Sequence, residues 1–332
     1  MRLSWMKYLG ILFFVLAMIS CQTGRQAPGW VEEPPMEADY FIGRASVEKE
    51  PERDDHAGRA KKAALDQLTE DIVAASAGAI SGTVLSNANV DRETYFGHLA
   101  AIVRERLEGY EQVDAYEDEN EYWVFYRLSM EKYREQIRKQ QDEAAMRSLE
   151  FFRESEQHLI EGDLAEALAC GLKAGREISP FWGMGVPFPE EGADQYLDDR
   201  VREHLQFILQ GMRLRALPDT IDMQTGEGFT LPVDIEVQYS GITTEIRPVA
   251  ELPLEVDTRE TSLEYRKPTP TDREGMARLE ITGIELAGEK EIRILPHIKE
   301  MGGLSSEILS QPLFESLLIP HAPLKLRVSE AR

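Results

Sequence analysis

Two Ser-x-x-Lys strings are the first residues whose types and spacing could do chemistry. They run from Ser46 to Lys49 and from Ser129 to Lys132, the spacing that serine acyl-enzymes use. The Ser-Asp-Asn and Lys-Thr-Gly strings that accompany that chemistry are missing from the sequence. Ser129 also stands where a predicted strand gives way to a predicted helix, which is a natural N-cap position. We therefore expect no catalytic residue in either string.

Histidines and carboxylates are the residues that could bind a metal ion. The six histidines are far apart in the sequence and do not have the spacing of metal ligands. They are His56, His98, His158, His204, His297 and His321. The acidic run Asp114–Glu121 and the pair Asp198-Asp199 lack the oxygen spacing and glycine of an EF-hand loop. We expect no metal and no cofactor. A carboxylate pair for glycoside hydrolysis stays open, because 60 acidic residues allow many pairs to meet in space.

The N-terminus has the pattern of a secretory signal peptide over residues 1–20. Arg2 and Lys7 precede the apolar run Tyr8–Ile19, and a small residue, Ser20, comes before the polar stretch. The run is shorter than the roughly 20 residues that a membrane-spanning helix needs. A cleaved signal is therefore favoured over a permanent membrane span.

The end of this signal resembles a bacterial lipobox. In Met18-Ile19-Ser20-Cys21 the cysteine follows a small residue, and the resemblance implies that its sulfur is lipidated and that it becomes the new N-terminus. Residues 21–27 would then be a tether. The other cysteine, Cys170, lies at helical spacing between Ala167 and Ala174, so we expect it on a buried helix face rather than in a disulfide or as a reactive thiol.

Charge excludes one class of partner. The chain has 332 residues, with 37 Lys and Arg against 60 Asp and Glu, and a net charge of -23. No run of five or more basic residues offsets this charge locally. Phosphate backbones are repelled by such a chain, so we expect no nucleic-acid partner.

The first mature segment predicts a small α+β domain. Tyr40–Ala45 is typical of a strand, and Tyr122–Tyr126 of a central strand because it is apolar on both faces. Between them, small and apolar residues recur at three- and four-residue intervals, which predicts an amphipathic helix packed on the sheet. These residues are Ala57, Ala60, Ala64, Leu65, Leu68 and Ile72.

Residues 28–140 resemble the Lpp-twenty lipoprotein family, which is related to the N-terminal domain of flagellar assembly protein T. The resemblance rests on Pro28-x-Trp30, Tyr40-x-x-Gly43, the alanine-rich helix and the closing strand Tyr122–Leu128, in that order behind the lipobox. It covers about a third of the chain. It implies a small α+β domain on a lipid anchor and carries over no chemistry.

Residues 141–217 are predicted to be helical, as part of a helical stretch from Met130 to Leu217. Gly162–Leu168, with Ala174 seven residues after Ala167, is similar to the second helix of a tetratricopeptide repeat. Only one copy is visible, and such repeats need about three to bury a core, so a simple helical hairpin is favoured over a peptide-binding solenoid. The aromatic loop Phe181–Pro189 is a binding surface if exposed and packing if covered.

Residues 218–332 predict an antiparallel β-sandwich. Apolar and polar residues alternate over Leu231–Tyr239 and in three later runs. In the turn Thr271–Gly275, Asp272 can close an Asx turn and Gly275 can take positive φ. This turn resembles one found in bacterial immunoglobulin-like domains.

Together these patterns predict a multidomain α+β protein: a small α/β sandwich domain, a helical hairpin region and a C-terminal β-sandwich. We expect a non-enzymatic, lipid-anchored scaffold or partner-binding protein at the periplasmic face of the bacterial outer membrane, with an envelope protein as partner. The alternatives are a glycan-active hydrolase and a peptidoglycan- or glycan-binding protein.

Cys21→Ser should abolish lipidation, because a hydroxyl cannot form the thioether. Growth with labelled palmitate, followed by immunoprecipitation, measures this directly. Cys170→Ser is the matched control and should keep the label. Equal label in the Cys21 variant and the parent chain would contradict the lipobox assignment.

Overall fold

The structure, a computed structural model, describes residues 27–33, 35–50, 55–77, 92–188, 196–241, 245–258 and 262–330. The predicted signal peptide and Cys21 lie outside the described residues. Contacts between α-carbons divide the chain into two compact units. Among the described residues, the first unit comprises those of residues 27–75 together with Val103–Glu135, and the second comprises those of residues 76–102 and 136–330.

Helices and antiparallel strands are both abundant, which confirms the α+β class. Among the described residues, the helices are α1 (Gly29–Glu32), α2 (His56–Ala77), α3 (Arg92–Glu105), α4 (Met130–Glu161), α5 (Leu164–Ile178), α6 (Leu197–Gly211), α7 (Ile298–Gly302), α8 (Ser306–Leu309) and α9 (Pro312–Glu315). The strands are β1 (Tyr40–Glu48), β2 (Glu111–Glu117), β3 (Glu121–Ser129), β4 (Met212–Leu217), β5 (Thr220–Gln224), β6 (Gly226–Tyr239), β7 (Arg247–Pro248), β8 (Leu254–Asp257), β9 (Leu263–Arg266), β10 (Met276–Ile284), β11 (Gly288–Pro296) and β12 (Ala322–Ser329).

The first unit is built on a three-stranded antiparallel sheet in the order β1-β3-β2. The aromatic strand β3 is central, as its sequence predicts, and Val124, Phe125 and Tyr126 in its middle are all buried. Because side chains alternate along a strand, Val124 and Tyr126 point to one face and Phe125 to the other. Both faces of the sheet therefore carry buried side chains, which other parts of the chain must cover.

Helix α2 covers the face that carries Val124 and Tyr126. Ala60 and Ala64 pack there, and both are fully buried, in line with the predicted apolar stripe. Gly43 on β1 permits this close approach, since a Cβ there would collide with the backbone carbonyl of Ala64. Small residues on both partners thus set the distance between helix and sheet.

The second unit contains a helical hairpin, as predicted from the single repeat-like segment. Helices α4 and α5 are joined at Gly162, which has φ of +87°, and Asp163 caps α5 by accepting a hydrogen bond from the backbone N–H of Glu166. Two buried serines of α4 donate to carbonyls of α5: Ser148 to Ala174 at 3.0 Å and Ser155 to Ala167 at 2.5 Å. Satisfying polar groups inside an apolar contact fixes how the two helices align.

Two further sheets complete this unit. One has the order β4-β6-β10-β9, with β7 also paired to β6, and the other has the order β5-β12-β11-β8. Each strand pair is antiparallel except β5 with β12. The predicted alternation along β6 is present, because Val233, Ile235 and Val237 are fully buried.

Strand β4 corrects the sequence reading, which predicted helix through Leu217. Met212–Leu217 instead pair with β6, from Met212 opposite Tyr239 to Leu217 opposite Asp234. Buried and exposed residues alternate along these six positions. A period of two is typical of a strand with one solvent-exposed face, and the prediction of a helix did not take it into account.

Side chains also connect the helices of this unit to its C-terminal residues. The Arg176 guanidinium donates to the carbonyl of Gly302 at 3.3 Å, and the side-chain oxygen of Gln206 accepts from the N–H of Leu318 at 2.9 Å. These contacts cross the domain boundary predicted at residue 218.

The isolated fragment 219–332 tests that boundary. A fragment that begins at residue 212 is the matched control, because it restores β4 and the six residues that pair with β6. If residues 218–332 form an autonomous domain, both fragments unfold cooperatively and the longer one has the higher free energy of unfolding. Broad, collapsed amide spectra from both would contradict an autonomous domain.

Gly275→Val should lower the free energy of unfolding by more than about 1 kcal/mol. Gly275 has the predicted positive φ, +76°, in a turn where the Asp272 carboxylate accepts from the N–H of Met276 at 2.9 Å. A Cβ would lie 2.5 Å from the carbonyl oxygen of Val237. Urea unfolding measures the change. An unchanged midpoint would contradict the strain assigned to this position.

Candidate functional site

The face of the first sheet opposite α2 carries an unusual set of aromatic and cationic side chains. Alternation along β3 places Trp123, Phe125 and Arg127 there. Arg44 of β1 lies opposite Phe125 in the strand register. We call this surface the aromatic face and define it by six residues: Trp30, Tyr40, Arg44, Trp123, Phe125 and Arg127.

Arg44 organises one half of the aromatic face. Its guanidinium lies 5.5 Å from the centre of the Trp123 ring. The same guanidinium donates to the carbonyls of Trp30 at 2.8 Å and Val31 at 3.0 Å. These two carbonyls belong to α1, so a single cation holds this short helix on the sheet and stacks against an indole.

Arg127 organises the other half. Its guanidinium lies 4.4 Å from the centre of the Tyr40 ring. It also forms ion pairs with Glu111 at 2.6 Å and Glu37 at 2.9 Å. A planar guanidinium can stack on a ring and donate from its edge at the same time. The position of the Arg127 side chain is therefore fixed by contacts within the chain.

The two indole N–H groups of the aromatic face are also satisfied. Trp30 donates to the Asp114 carboxylate at 2.8 Å, and Trp123 donates to the Glu121 carboxylate at 3.1 Å. The Trp30 ring packs against Phe125 at 5.8 Å between centroids. Phe125 is buried, whereas both tryptophans are partly exposed. The result is a preorganised surface of aromatic rings with an acidic rim.

The aromatic loop that the sequence singled out is covered instead. Phe181, Trp182, Val186 and Phe188 are all less than 9% exposed, and Pro189 lies outside the described residues. Tyr95 donates its hydroxyl to the carbonyl of Trp182 at 3.0 Å. The packing interpretation of this loop is therefore the correct one for the described residues.

Asp198 is the most deeply buried carboxyl near that loop. One of its oxygens accepts from the N–H of Gly183 at 2.8 Å, and burial raises its pKa to about 6. Its other oxygen and the indole N–H of Trp182 are buried without a hydrogen-bond partner in the protein. The adjoining pocket, lined by Tyr95, Trp182 and neighbours, has room for about one water molecule. Its size suits hydration better than a substrate.

The Ser-x-x-Lys strings are not paired as an acyl-enzyme needs. Ser129 caps α4, as predicted, and accepts from the N–H of Lys132 at 3.4 Å. Lys49 forms an ion pair with Glu117 at 2.6 Å, while Ser46 lies 3.5 Å from a Glu121 carboxylate oxygen. The side chains of Ser46, Lys49 and Ser129 thus serve local structure.

A serine–histidine pair that the sequence did not indicate lies inside the second unit. The Ser155 hydroxyl is 2.8 Å from Nε2 of His204. Ser155 already donates its one proton to the carbonyl of Ala167, which can only accept. Nε2 of His204 must therefore be the donor, so the imidazole does not act as a base toward this serine. Burial lowers the pKa of His204 to about 4.

The acidic tip Asp114–Glu121 and a histidine-containing group that the sequence did not predict are two places where metal-binding residue types lie close together. In the acidic tip, Asp118 closes the β2–β3 turn by accepting from the N–H groups of Asn120 and Glu121 at 2.8 Å. By contrast, the structure brings His158, Glu166 and Cys170 together across the helical hairpin. The sequence signal was weak: Glu166 and Cys170 are four residues apart, and His158 lies before the turn.

Trp123→Ala should lower the free energy of unfolding by about 1 to 2 kcal/mol, and Phe125→Ala by about 3 to 5 kcal/mol. The difference follows from burial, because Phe125 is 4% exposed and Trp123 is only partly covered. Chemical unfolding of both variants measures it. Equal losses would place Trp123 in the core and remove it from the candidate site.

His204 should make the free energy of unfolding fall as pH decreases from about 6.5 to about 4. Its pKa is lower in the folded state than in the unfolded state, so the stabilising contribution is present above the unfolded value and is lost below it. We expect a loss of about 1 to 3 kcal/mol relative to His204→Gln. Parallel pH-dependent unfolding curves for the two chains would contradict the buried, neutral histidine.

No model of a known protein family matches the chain, and no curated protein matches it. Among the residues that the structure describes, no helix has both the length and the apolar character needed to cross a membrane. The resemblance of residues 28–140 to the Lpp-twenty family therefore stays a prediction.

Proposed function

We propose that the chain is a lipid-anchored, non-enzymatic scaffold of the bacterial cell envelope that binds a protein partner through the aromatic face. The anchor is inferred from the sequence around Cys21, and from it we infer a location at the periplasmic face of the outer membrane. The binding role rests on the aromatic face, which is the one observation that carries the proposal. The two parts are independent and are tested separately.

Composition supports the aromatic face as a protein-binding surface. Tryptophan, tyrosine and arginine are the residue types that contribute most to protein interfaces. Here Trp30, Trp123 and Tyr40 are each partly exposed, and two arginines lie between them. A partner that covers these rings would bury aromatic area that water now contacts.

Preorganisation supports the same role. Arg44, Arg127 and both indole N–H groups have fixed partners within the chain. Association then orders few additional side chains, which lowers its entropic cost. The rim contains Glu37, Glu111, Asp114 and Glu121, so the complementary partner surface is apolar at its centre and basic at its edge.

The finer architecture belongs to the same proposal. Residues 28–140 are taken as an Lpp-twenty-like domain, residues 141–211 as a helical region with one tetratricopeptide-like hairpin, and residues 218–332 together with strand β4 as an immunoglobulin-like β-sandwich. The α2-covered sheet supports the first, the α4–α5 hairpin the second, and strands such as β6 and β12, buried at alternate positions, the third.

Glycan binding by the same face is the second candidate. A partly exposed indole such as Trp123, flanked by Arg44 and Glu121, combines a flat apolar ring with hydrogen-bonding groups. Sugar rings offer the matching combination of apolar C–H faces and hydroxyl edges.

Photo-crosslinking in intact cells tests the proposal. A photoreactive amino acid replaces Ser46, which lies opposite Trp123 in the sheet register, and the control position is Met146, which is 64% exposed on α4. We expect a protein adduct from position 46 and none from position 146. Trp123→Ala should reduce the adduct at least fivefold, whereas Phe207→Ala, an exposed aromatic on α6, should not.

The alternatives have distinct outcomes. An adduct that resists protease and is released by a muramidase identifies a glycan and overturns the protein partner. Equal yields from positions 46 and 146, or no effect of Trp123→Ala in a chain with unchanged circular dichroism, would contradict a binding role for the aromatic face.

A further inference from the structure

The helical hairpin of the second unit brings three metal-binding side chains together. His158, Glu166 and Cys170 each offer one ligand atom, and these atoms all lie within 4.8 Å of one another. They supply an imidazole nitrogen, a carboxylate oxygen and a sulfur. The group is separate from the aromatic face, and the proposed scaffold function does not use it.

The local fold accounts for this grouping. His158 lies in the last turn of α4, and Gly162 with positive φ reverses the chain immediately afterwards. Glu166 and Cys170 are one helical turn apart on α5, so they share a face. The turn thus presents one ligand from the first helix to two ligands from the second.

The distances suit a tetrahedral metal ion. The Cys170 sulfur is 3.8 Å from a Glu166 oxygen and 3.8 Å from a Glu154 oxygen. Zinc–sulfur and zinc–oxygen bonds of about 2.3 and 2.0 Å at a tetrahedral angle separate sulfur and oxygen by about 3.5 Å. The two measured sulfur–oxygen distances are close to this value, and Glu154, whose carboxylate lies near the sulfur, is available as a fourth ligand.

Charge and burial also favour a cation. Nδ1 of His158 is buried without a hydrogen-bond partner, 4.0 Å from carboxylate oxygens of both Glu161 and Asp163. Carboxylate oxygens of Glu154 and Glu166 also lie 3.8 Å from the Cys170 sulfur. Lys173 forms an ion pair with Glu166 at 3.8 Å, and a divalent cation would replace Lys173 in that pair.

Solvent reaches one side of this group, whereas the sulfur of Cys170 is shielded from it. Cys170 is 2% exposed, Glu166 is exposed and His158 is partly exposed. An ion can therefore enter from the side of Glu166 and reach a sulfur that bulk solvent does not.

We propose that His158, Glu166 and Cys170, with Glu154, form a Zn²⁺ site that clamps the α4–α5 hairpin. On binding, the S–H bond of Cys170 breaks, a sulfur–zinc bond forms and the proton passes to solvent, with no change of oxidation state. This departs from the absence of a metal site expected from the sequence, because the ligands meet only once the hairpin is folded.

Metal titration of the full chain in a non-ionic detergent tests the proposal. The chain carries Cys21→Ser, so that Cys170 supplies the sole thiol. We expect one Zn²⁺ per chain by competition with a chromogenic chelator, and Co²⁺ should give the near-ultraviolet charge-transfer band of a thiolate ligand. Zn²⁺ should also raise the thermal unfolding midpoint.

Matched variants decide the assignment. Cys170→Ser should remove the Co²⁺ charge-transfer band, and His158→Gln and Glu166→Gln should each weaken Zn²⁺ binding at least tenfold. The exposed controls His321→Gln and Glu150→Gln should bind like the parent chain. Because His158 is partly exposed, its variant remains informative if the buried Cys170 variant fails to fold. Undiminished affinity in His158→Gln, or a parent chain without the thiolate band, would overturn the proposal.

Discussion

The alternation of side chains along β3 is the constraint on which the first unit depends. Even-numbered residues from Tyr122 to Leu128 face α2, and odd-numbered residues from Trp123 to Arg127 form the opposite face. A shift of one residue in register would exchange the two sets. Tyrosine and valine would then face Arg44, and a charged Arg127 would be forced under α2. The register that buries one set of β3 side chains under α2 is therefore the same register that forms the aromatic face.

A corresponding constraint operates in the helical hairpin, where buried hydroxyls rather than bulk select the alignment. Ser148 and Ser155 donate to the carbonyls of Ala174 and Ala167 on α5. Sliding α4 along α5 by one turn would leave two buried hydroxyls unpaired, at a cost of about 1 to 3 kcal/mol each. Apolar contacts alone would discriminate less sharply between such registers.

The sequence predicts those elements whose signal is local. The stripe through Ala60, Ala64 and Leu68 identifies the buried face of α2, and Asp272 with Gly275 identifies the turn before β10, because each pattern is complete within a few residues. Strand β4 was missed because six alternating residues directly follow the long helix α6. Phe125 and Trp123 read alike in sequence, and only their register against β1 and α1 shows which ring stays partly exposed.

The proposed sites depend even less on local signals. The aromatic face needs Arg44 from one strand and Trp123 from another, 79 positions later, to meet across a sheet. The His158, Glu166 and Cys170 group needs a particular rotation of α5 about its axis relative to α4. Residue spacing along the chain encodes neither the meeting of Arg44 with Trp123 nor the rotation of α5. Both are set by packing between elements.

If Cys21 carries the proposed lipid anchor, the attachment of α1 by Arg44 limits how far the aromatic face can lie from the membrane. Trp30 is nine residues from Cys21, so a fully extended connection spans at most about 30 Å. With Cys21 anchored in a bilayer, the aromatic face would stay close to the lipid headgroups. A partner confined to the same surface would meet it at a high effective concentration, so that a weak intrinsic affinity suffices for stable occupancy.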